Sequence, residues 1–232
     1  MRLHTTTWGE GDRVALLVHG IMADHRTWRR VGPALAARDY RVIAVDLRGH
    51  GASGRADSYT LEDHARDLVE SLPSGAELAI GHSLGALALS RAVAELAPRR
   101  AVYVDPVWYL PDGEHGFRPE LFAAAKALTR ERIRQGSPRW DEEDIDIEVE
   151  TIGVWDESTA QGLMGVVGVD LMPAAPVVPS LVQLADPSEL VSPEAAALLR
   201  ERGFEVRTVT GAGHTVQRDD FDGFMAGLEG WI

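Results

Sequence analysis

The stretch from residue 78 to residue 97 constrains the fold more than any other part of the chain. An apolar run at residues 78–80 leads into Gly-His-Ser-Leu-Gly at residues 81–85, and a helix-like run follows at residues 86–97. A sharp strand-to-helix turn holds a serine hydroxyl exposed above a sheet, and it needs glycines where side chains would collide with strand and helix. Ser83 is therefore a candidate nucleophile.

Apolar runs of strand length recur along the chain with helical patterns between them. Runs that are apolar on both faces are typical of buried parallel strands, and their alternation with helices predicts βαβ crossovers. The sequence thus predicts an α/β fold, a mainly parallel central sheet with helices on both faces. Thr60 and Ser192 are predicted helix N-caps. The other predicted strands are residues 14–18, 42–45, 101–104, 180–185 and 204–209, and the other predicted helices are residues 27–38, 61–72, 193–202 and 216–231.

The alternation of predicted strands and helices stops after residue 105 and resumes near residue 177. We predict a core of residues 1–105 and 177–232, interrupted by a mostly helical cap insertion at residues 106–176. Within it, residues 120–135 form an amphipathic helical pattern. The acidic run at residues 141–150 is interpreted as a solvated face, because charge runs usually are.

A serine hydroxyl needs a base, and the sequence offers His214. This histidine follows Gly-Ala-Gly in the loop after the last predicted strand, where ligands collect at the edge of an open α/β sheet. The acid that orients it is predicted to be Asp186, directly after the fifth predicted strand. Asp105, at the end of the fourth, and Glu189 remain as alternatives, because spacing alone does not decide which carboxylate reaches the histidine.

The oxyanion of an acyl-transfer intermediate needs two backbone N–H donors. One is predicted to be the N–H of Leu84, directly after the candidate nucleophile. The other is predicted to be that of Ile21, in the loop that begins with His19 and Gly20, and Met22 is its alternative.

These motifs together resemble those of the α/β-hydrolases. The His19-Gly20 pair is similar to the family's oxyanion loop, residues 46–53 to its Asp-x-Arg-Gly-x-Gly-x-Ser signature, residues 81–85 to its nucleophile elbow and Gly213-His214 to its histidine loop. The resemblance covers about residues 12–106 and 177–232, and it implies a Ser-His-Asp hydrolase without a cofactor. Many members have Gly-x-x-Asp after the fifth strand, where this chain has Leu-Ala-Asp-Pro. Asp46 and Arg48 are interpreted as residues that hold loops together.

Aromatic and methionine side chains in the insertion are candidates for an apolar pocket wall or for the cap's own core. The predicted substrate-binding residues are Trp28, His82, Trp108 and Trp155. The wider set that can belong to either wall or core consists of Trp108, Tyr109, Leu110, Phe117, Trp140, Trp155, Met164 and Met172.

The net charge and the composition argue against several other classes of protein. A net charge of -13 argues against nucleic acid and against an anionic membrane surface. There are no cysteines, and no run of apolar residues is typical of a membrane span or a signal peptide, so we predict a cytoplasmic location. Neither a histidine pair at helical spacing nor a phosphate-binding glycine loop is present, so no metal and no cofactor are predicted. The oligomeric state is left open.

The leading hypothesis is a serine hydrolase that cleaves a small or medium, mostly uncharged carboxylic ester or lactone through an acyl-enzyme at Ser83. The alternative is lyase or cofactor-free oxygenase chemistry with His214 as a simple base, since one fold hosts many reactions. A non-catalytic binding module is a third hypothesis, which the presence of every candidate triad residue disfavours.

Overall fold

A computed structural model describes residues 1–114 and 116–232. Within these residues, seven strands form one sheet in the order β1-β3-β2-β4-β5-β6-β7, in which only β1 runs antiparallel to its neighbour. The predicted fold class, a mainly parallel sheet with flanking helices, is confirmed. The strands are β1 (Thr5–Trp8), β2 (Arg13–Val18), β3 (Tyr40–Val45), β4 (Leu78–His82), β5 (Ala101–Val104), β6 (Ser180–Leu184) and β7 (Glu205–Thr208).

Helices cover both faces of this sheet, as predicted. In β2, Leu16 and Val18 belong to one buried cluster, whereas Ala15 and Leu17 belong to the other. Side chains alternate between the two faces of a strand, so the continuous apolar run of β2 serves two cores at once. The helices are α1 (Val31–Ala36), α2 (Leu61–Ser71), α3 (Leu84–Leu96), α4 (Pro119–Ala124), α5 (Arg130–Gly136), α6 (Glu142–Val154), α7 (Ser158–Gly162), α8 (Pro193–Glu201), α9 (Val216–Asp219) and α10 (Phe221–Gly227).

The predicted helix N-caps are confirmed. The Thr60 side chain accepts a hydrogen bond from Asp63 N, and the Asp63 side chain accepts one from Thr60 N, which completes a capping box at α2. Ser192 caps α8, which carries Pro193 in its first turn.

Sequence reasoning missed one strand and, outside the segment between β5 and β6, joined two pairs of short helices. The strand β1 is half exposed and has no continuous apolar run, so it gave no strand signal. The predicted helix 27–38 is a 3-10 turn at His25–Trp28 followed by α1. The predicted C-terminal helix breaks at Asp220, whose side chain caps α10 by accepting a hydrogen bond from Gly223 N.

The segment between β5 and β6 is mostly helical in its described part. It contributes α4 to α7 and two 3-10 turns, and its described residues add no strand to the main sheet. The predicted helix at residues 120–135 is interrupted, because α4 ends in a 3-10 turn and α5 starts afresh at the Thr129 cap. The division into a core of residues 1–105 and 177–232 and a cap of residues 106–176 stays a prediction.

The acidic helix α6 is paired with arginines of the core. Arg29 Nε lies 2.9 Å from Asp144 Oδ1 and its Nη1 lies 3.0 Å from Glu143 Oε2. Arg218 Nη1, on α9, lies 2.6 Å from Glu148 Oε2. The Arg218 and Asp144 side chains are buried. Removal of one partner of a buried ion pair lowers the stability of the fold much more than removal of one partner of an exposed pair. The interpretation of residues 141–150 as a merely solvated face is therefore wrong.

His64 lies buried in α2, and neither ring nitrogen has a hydrogen-bond partner within the described ranges. Burial lowers the pKa of His64 to about 4, because the charged ring would lose its hydration. Burial also lowers the pKa values of His19 and His50. Below the ordinary histidine pKa near 6.5, these three histidines therefore bind more protons in the unfolded chain than in the folded one.

We expect the free energy of unfolding to fall as the pH is lowered from about 6.5 to about 4, and His64→Leu to reduce this loss by roughly 2–3 kcal/mol. Leucine fills a similar volume and cannot take up a proton. Urea denaturation of both proteins at a series of pH values measures this difference. At pH 8 the two proteins should differ little, and equal pH slopes would contradict the assignment to His64.

Candidate active site

The turn at Ser83 joins β4 directly to α3 in a strained conformation. The serine has φ +52° and ψ -118°, and its side chain is largely buried. A Cβ on Gly81 would lie 2.6 Å from Gly85 O, and a Cβ on Gly85 would lie 2.3 Å from His19 O. Glycine is therefore required at both flanking positions, as the sequence pattern predicts, and the serine is held at the carboxyl end of a central strand.

The loop after β2 packs directly against this turn. A Cβ on Gly20 would lie 3.0 Å from Ser83 Cβ and 3.0 Å from His82 Nδ1. A side chain at residue 20 would therefore crowd the side chains of Ser83 and His82. The next residue, Ile21, and the first residue of α3, Leu84, both line the cavity in front of Ser83.

The loop geometry distinguishes between the two candidates for the second oxyanion donor. Met22 N–H already donates to His50 Nε2 at 3.1 Å, and His50 Nδ1–H donates to Arg48 O at 2.9 Å. The N–H of Ile21 has no acceptor among the described residues. The N–H of Leu84 is at the first position of a helix, where no intrahelical acceptor exists and the helix dipole favours negative charge. The pair Ile21 and Leu84 is therefore the one we propose.

His214 is hydrogen-bonded to Asp105. Its Nδ1 lies 2.7 Å from Asp105 Oδ2, and the other carboxylate oxygen accepts a hydrogen bond from Ala185 N at 3.2 Å. Asp105 is fully buried, whereas the His214 side chain is 43% exposed. A buried carboxylate on Nδ1 fixes the tautomer that leaves Nε2 free to accept a proton, which is the geometry that a general base needs.

The expectation that Asp186 pairs with His214 is not met. Its Oδ2 accepts a hydrogen bond from Gly211 N at 3.2 Å, so this exposed carboxylate supports the histidine loop through its backbone. Asp186 lies in the exposed turn before Pro187. Asp105 instead ends the strand next to β4, where Val104 O accepts a hydrogen bond from Ser83 N. The alternative Glu189 is an exposed residue on the cavity wall.

His82 is hydrogen-bonded to the backbone of His214. Its Nε2–H donates to His214 O at 3.0 Å, and the two ring centroids are 4.7 Å apart. Burial and the neighbouring His214 ring hold the pKa of His82 well below its ordinary value, so it stays neutral. Sequence reasoning placed His82 among substrate-binding residues, and it does line the cavity.

A single cavity of about 410 Å³ joins Ser83, His214 and the proposed oxyanion donors. This volume lies in the range of small-molecule sites. Its walls are mainly apolar and come from the loop after β2, the loop after β5 and the start of α4. The apolar wall residues are Ile21, Met22, Ala23, Leu84, Val107, Leu110, Pro111, Phe117, Leu121, Phe122, Leu163 and Leu190.

Three of the predicted substrate-binding residues do not line this cavity. Trp28 is fully buried, with its ring centroid 6.4 Å from that of Phe224. Trp108 packs edge-on against Tyr103 in the core. Trp155 stacks on His50 with centroids 6.0 Å apart. Large aromatic rings are most stabilising when fully buried, and here that preference prevails over a role in the wall. Of the remaining aromatic and apolar candidates, Tyr109, Leu110 and Phe117 do reach the cavity.

Comparison with known proteins gives the family. A model described as "Alpha/beta hydrolase family" matches residues 15–226, which is most of the chain. The chain belongs to the alpha/beta hydrolase family. Its relatives by sequence and by structure are enzymes, so the predicted resemblance and the prediction of an enzyme are both confirmed.

Several relatives of this alpha/beta hydrolase carry specific names. This chain is 27% identical to an N-formylmaleamate deformylase of Pseudomonas putida, over 97% of this chain and 91% of that protein. It is 36% identical to a pimeloyl-[acyl-carrier protein] methyl ester esterase of Sodalis glossinidius, over 50% of this chain and 46% of that protein. The solved structure of an E-2-(acetamidomethylene)succinate hydrolase has a TM-score of 0.78 at 25% identity, covering 99% of this chain and 94% of its own.

We expect Asp105→Asn to lower kcat for p-nitrophenyl acetate by roughly 10³–10⁴-fold, because an amide would select the wrong tautomer of His214. The matched control is Asp186→Asn, which should stay within about threefold of the wild type because that side chain touches only the loop backbone. Steady-state kinetics on both variants, with circular dichroism to verify folding, measures the difference. The reverse order of effects would restore Asp186 as the triad acid.

Proposed function

We propose that this alpha/beta hydrolase cleaves a small or medium, mostly uncharged carboxylic ester or lactone through an acyl-enzyme at Ser83. The observation that carries the proposal is the joint placement of the strained Ser83 turn and the His214–Asp105 pair on one apolar cavity. A serine hydroxyl is a weak nucleophile until a base takes its proton, and His214 with Asp105 would act as that base. A mainly apolar wall suits an uncharged acyl chain.

In the proposed reaction, Ser83 Oγ attacks the carbonyl carbon while His214 Nε2 takes the hydroxyl proton. Asp105 stabilises the imidazolium that results. The oxyanion accepts hydrogen bonds from Ile21 N and Leu84 N, and His214 then returns the proton to the departing alcohol. Water, deprotonated by His214, releases the acid and regenerates Ser83. The chain's contribution is preorganisation, because Ser83 is held in the turn between β4 and α3 and His214 is hydrogen-bonded to the buried Asp105.

An amide bond is the second candidate for the cleaved group. The deformylase relative aligns with almost the whole chain, and its name states an N-formyl amide substrate. The cavity wall also includes Arg118, which has no ion-pair partner among the described residues. A guanidinium at this place suits a substrate that carries a carboxylate at some distance from the scissile bond.

Lyase or cofactor-free oxygenase chemistry with His214 as a simple base remains the alternative to acyl transfer. The named deformylase and esterase relatives support hydrolysis over this alternative.

The substrate we propose is a small molecule rather than a nucleic acid or a membrane, and we propose a cytoplasmic location. The support is the net charge of -13 and the lack of cysteine. Of the helices in the described ranges, none combines the length and the apolar character that a membrane crossing requires.

We expect a fluorophosphonate probe to label the wild type at Ser83 and to leave Ser83→Ala unlabelled. The variant should lose roughly 10⁴-fold or more in kcat on p-nitrophenyl esters while keeping its fold, because removal of a triad nucleophile leaves only binding and the oxyanion hole. Peptide mass spectrometry locates the label, and a burst of nitrophenol indicates the acyl-enzyme. Ser90→Ala, on the same helix α3, is the matched control and should keep both labelling and activity.

Two results would overturn parts of this proposal. Ester hydrolysis retained in Ser83→Ala would remove the acyl-enzyme. Labelling of Ser83 together with turnover of N-formyl amides but not of esters would keep the mechanism and replace the ester by the amide. A series of acyl chain lengths, lactones and N-formyl amides on one enzyme preparation separates these outcomes.

A further inference from the structure

A second cluster of ligand-type side chains lies away from the catalytic cavity. His4 Nδ1 lies 2.9 Å from Asp46 Oδ2, and His25 Nδ1 lies 2.8 Å from Asp46 Oδ1. The ligand atoms of the three residues all lie within 4.8 Å of one another. None of the three lines the cavity at Ser83. The geometry points to a binding site for one divalent transition-metal ion, of which Zn²⁺ is the example, held by His4, His25 and Asp46.

The spacing of the donor atoms is close to what such an ion needs. Zinc bonds to histidine nitrogen and carboxylate oxygen measure about 2.0–2.2 Å, so two ligands at the tetrahedral angle on one ion are about 3.4 Å apart. The nitrogen and oxygen atoms are 2.8 Å and 2.9 Å apart, so each imidazole would move away from the carboxylate by about 0.5 Å when an ion replaces its Nδ1–H. One cation between the imidazoles and the carboxylate would replace the two Nδ1–H protons that the carboxylate otherwise accepts.

The surrounding backbone keeps the carboxylate in place. Asp46 is fully buried, and its two oxygens also accept hydrogen bonds from His25 N at 2.8 Å and Ala52 N at 2.9 Å. Such outer contacts orient a ligating carboxylate and leave a lone pair on each oxygen directed at the imidazoles. The sequence-based interpretation that Asp46 holds loops together is confirmed by the same contacts.

The two histidines give the site access to solvent and determine which metal ions it would prefer. The side chain of His4 is 40% exposed and that of His25 is 20% exposed, so an ion reaches the buried carboxylate from solvent. Two imidazoles and one carboxylate suit zinc, cobalt, nickel or copper better than magnesium or calcium, which prefer oxygen ligands. Water would fill the remaining coordination positions.

The chain positions explain why the sequence predicts no metal site. Residues 4, 25 and 46 lie in the segment before β1, the loop after β2 and the end of β3, without any helical histidine spacing. The antiparallel pairing of β1 with β3 brings His4 to Asp46, since Thr5 is opposite Val45 and Asp46 N donates to His4 O. The sequence does not predict β1, and for that reason it does not predict this cluster either.

Titration calorimetry of the metal-free protein with ZnCl₂ tests this site, with a C-terminal tag that contains no histidine. We expect one ion per chain with a Kd on the order of 1 µM. His4→Gln should weaken binding at least about tenfold, because even the loss of an outer contact has that effect. His4 is half exposed, so this variant should fold normally. The matched control is His64→Leu, which removes a histidine outside the cluster and should bind Zn²⁺ like the wild type.

The same variants separate this site from the catalytic histidine. With Co²⁺ in place of Zn²⁺, the wild type and Ser83→Ala should show the same visible absorption, and His4→Gln and His25→Gln should lose it. Equal Zn²⁺ affinity in the wild type and His4→Gln would overturn the proposal, as would wild-type binding weaker than about 1 mM.

Discussion

The close contact between Gly85 and the end of β2 is the constraint on which the site depends. A side chain at Gly85 would collide with the carbonyls of Val18 and His19, at 2.4 Å and 2.3 Å. Because α3 starts this close to β2, the backbone of the next loop passes within reach of Ser83. The strained serine and the proposed oxyanion donors thus follow from one packing contact between a helix and a neighbouring strand, and the strain is maintained by the buried sheet around it.

The acidic helix α6 extends this rigid unit beyond the sheet. Its carboxylates bind Arg29, near the loop after β2, and Arg218, which follows the histidine loop, so one helix connects both sides of the cavity. Arg218 also lies over the ring of Trp140, whose Nε1–H donates to Asp219 at 3.2 Å. By contrast, α4 contributes no buried residue, although Leu121 and Phe122 reach the cavity. In the described part of the cavity wall, the side near α6 is therefore held by ion pairs, whereas the side formed by α4 is less tightly packed.

Local patterns were sufficient to predict six of the seven described strands, the helices α2, α3 and α8, and the serine turn. Apolar runs and capping residues report on their own neighbourhood, and the flanking glycines follow from local sterics. The acid was mispredicted because the choice between Asp105 and Asp186 depends on which strand lies beside β4, and spacing along the chain does not give strand order. The tryptophans were misplaced for a related reason, since burial of a ring in a core or in a wall depends on partners distant in sequence. The cluster of His4, His25 and Asp46 likewise exists only through the pairing of β1 with β3.

Two neutral imidazoles connect the loop after β2, which carries the proposed oxyanion donor Ile21, to the loop after β3. His19 accepts a hydrogen bond from Leu47 N at 3.0 Å and donates to Gly20 O at 2.6 Å, while His50 accepts one from Met22 N and donates to Arg48 O. Each ring therefore uses one nitrogen as donor and the other as acceptor, which only the neutral form permits. The burial that lowers both pKa values keeps that form in place. Protonation of either ring would remove an acceptor from a backbone N–H. The course of the loop that carries the proposed donor Ile21 N is thus set partly by two buried histidines, and it depends on both rings staying neutral.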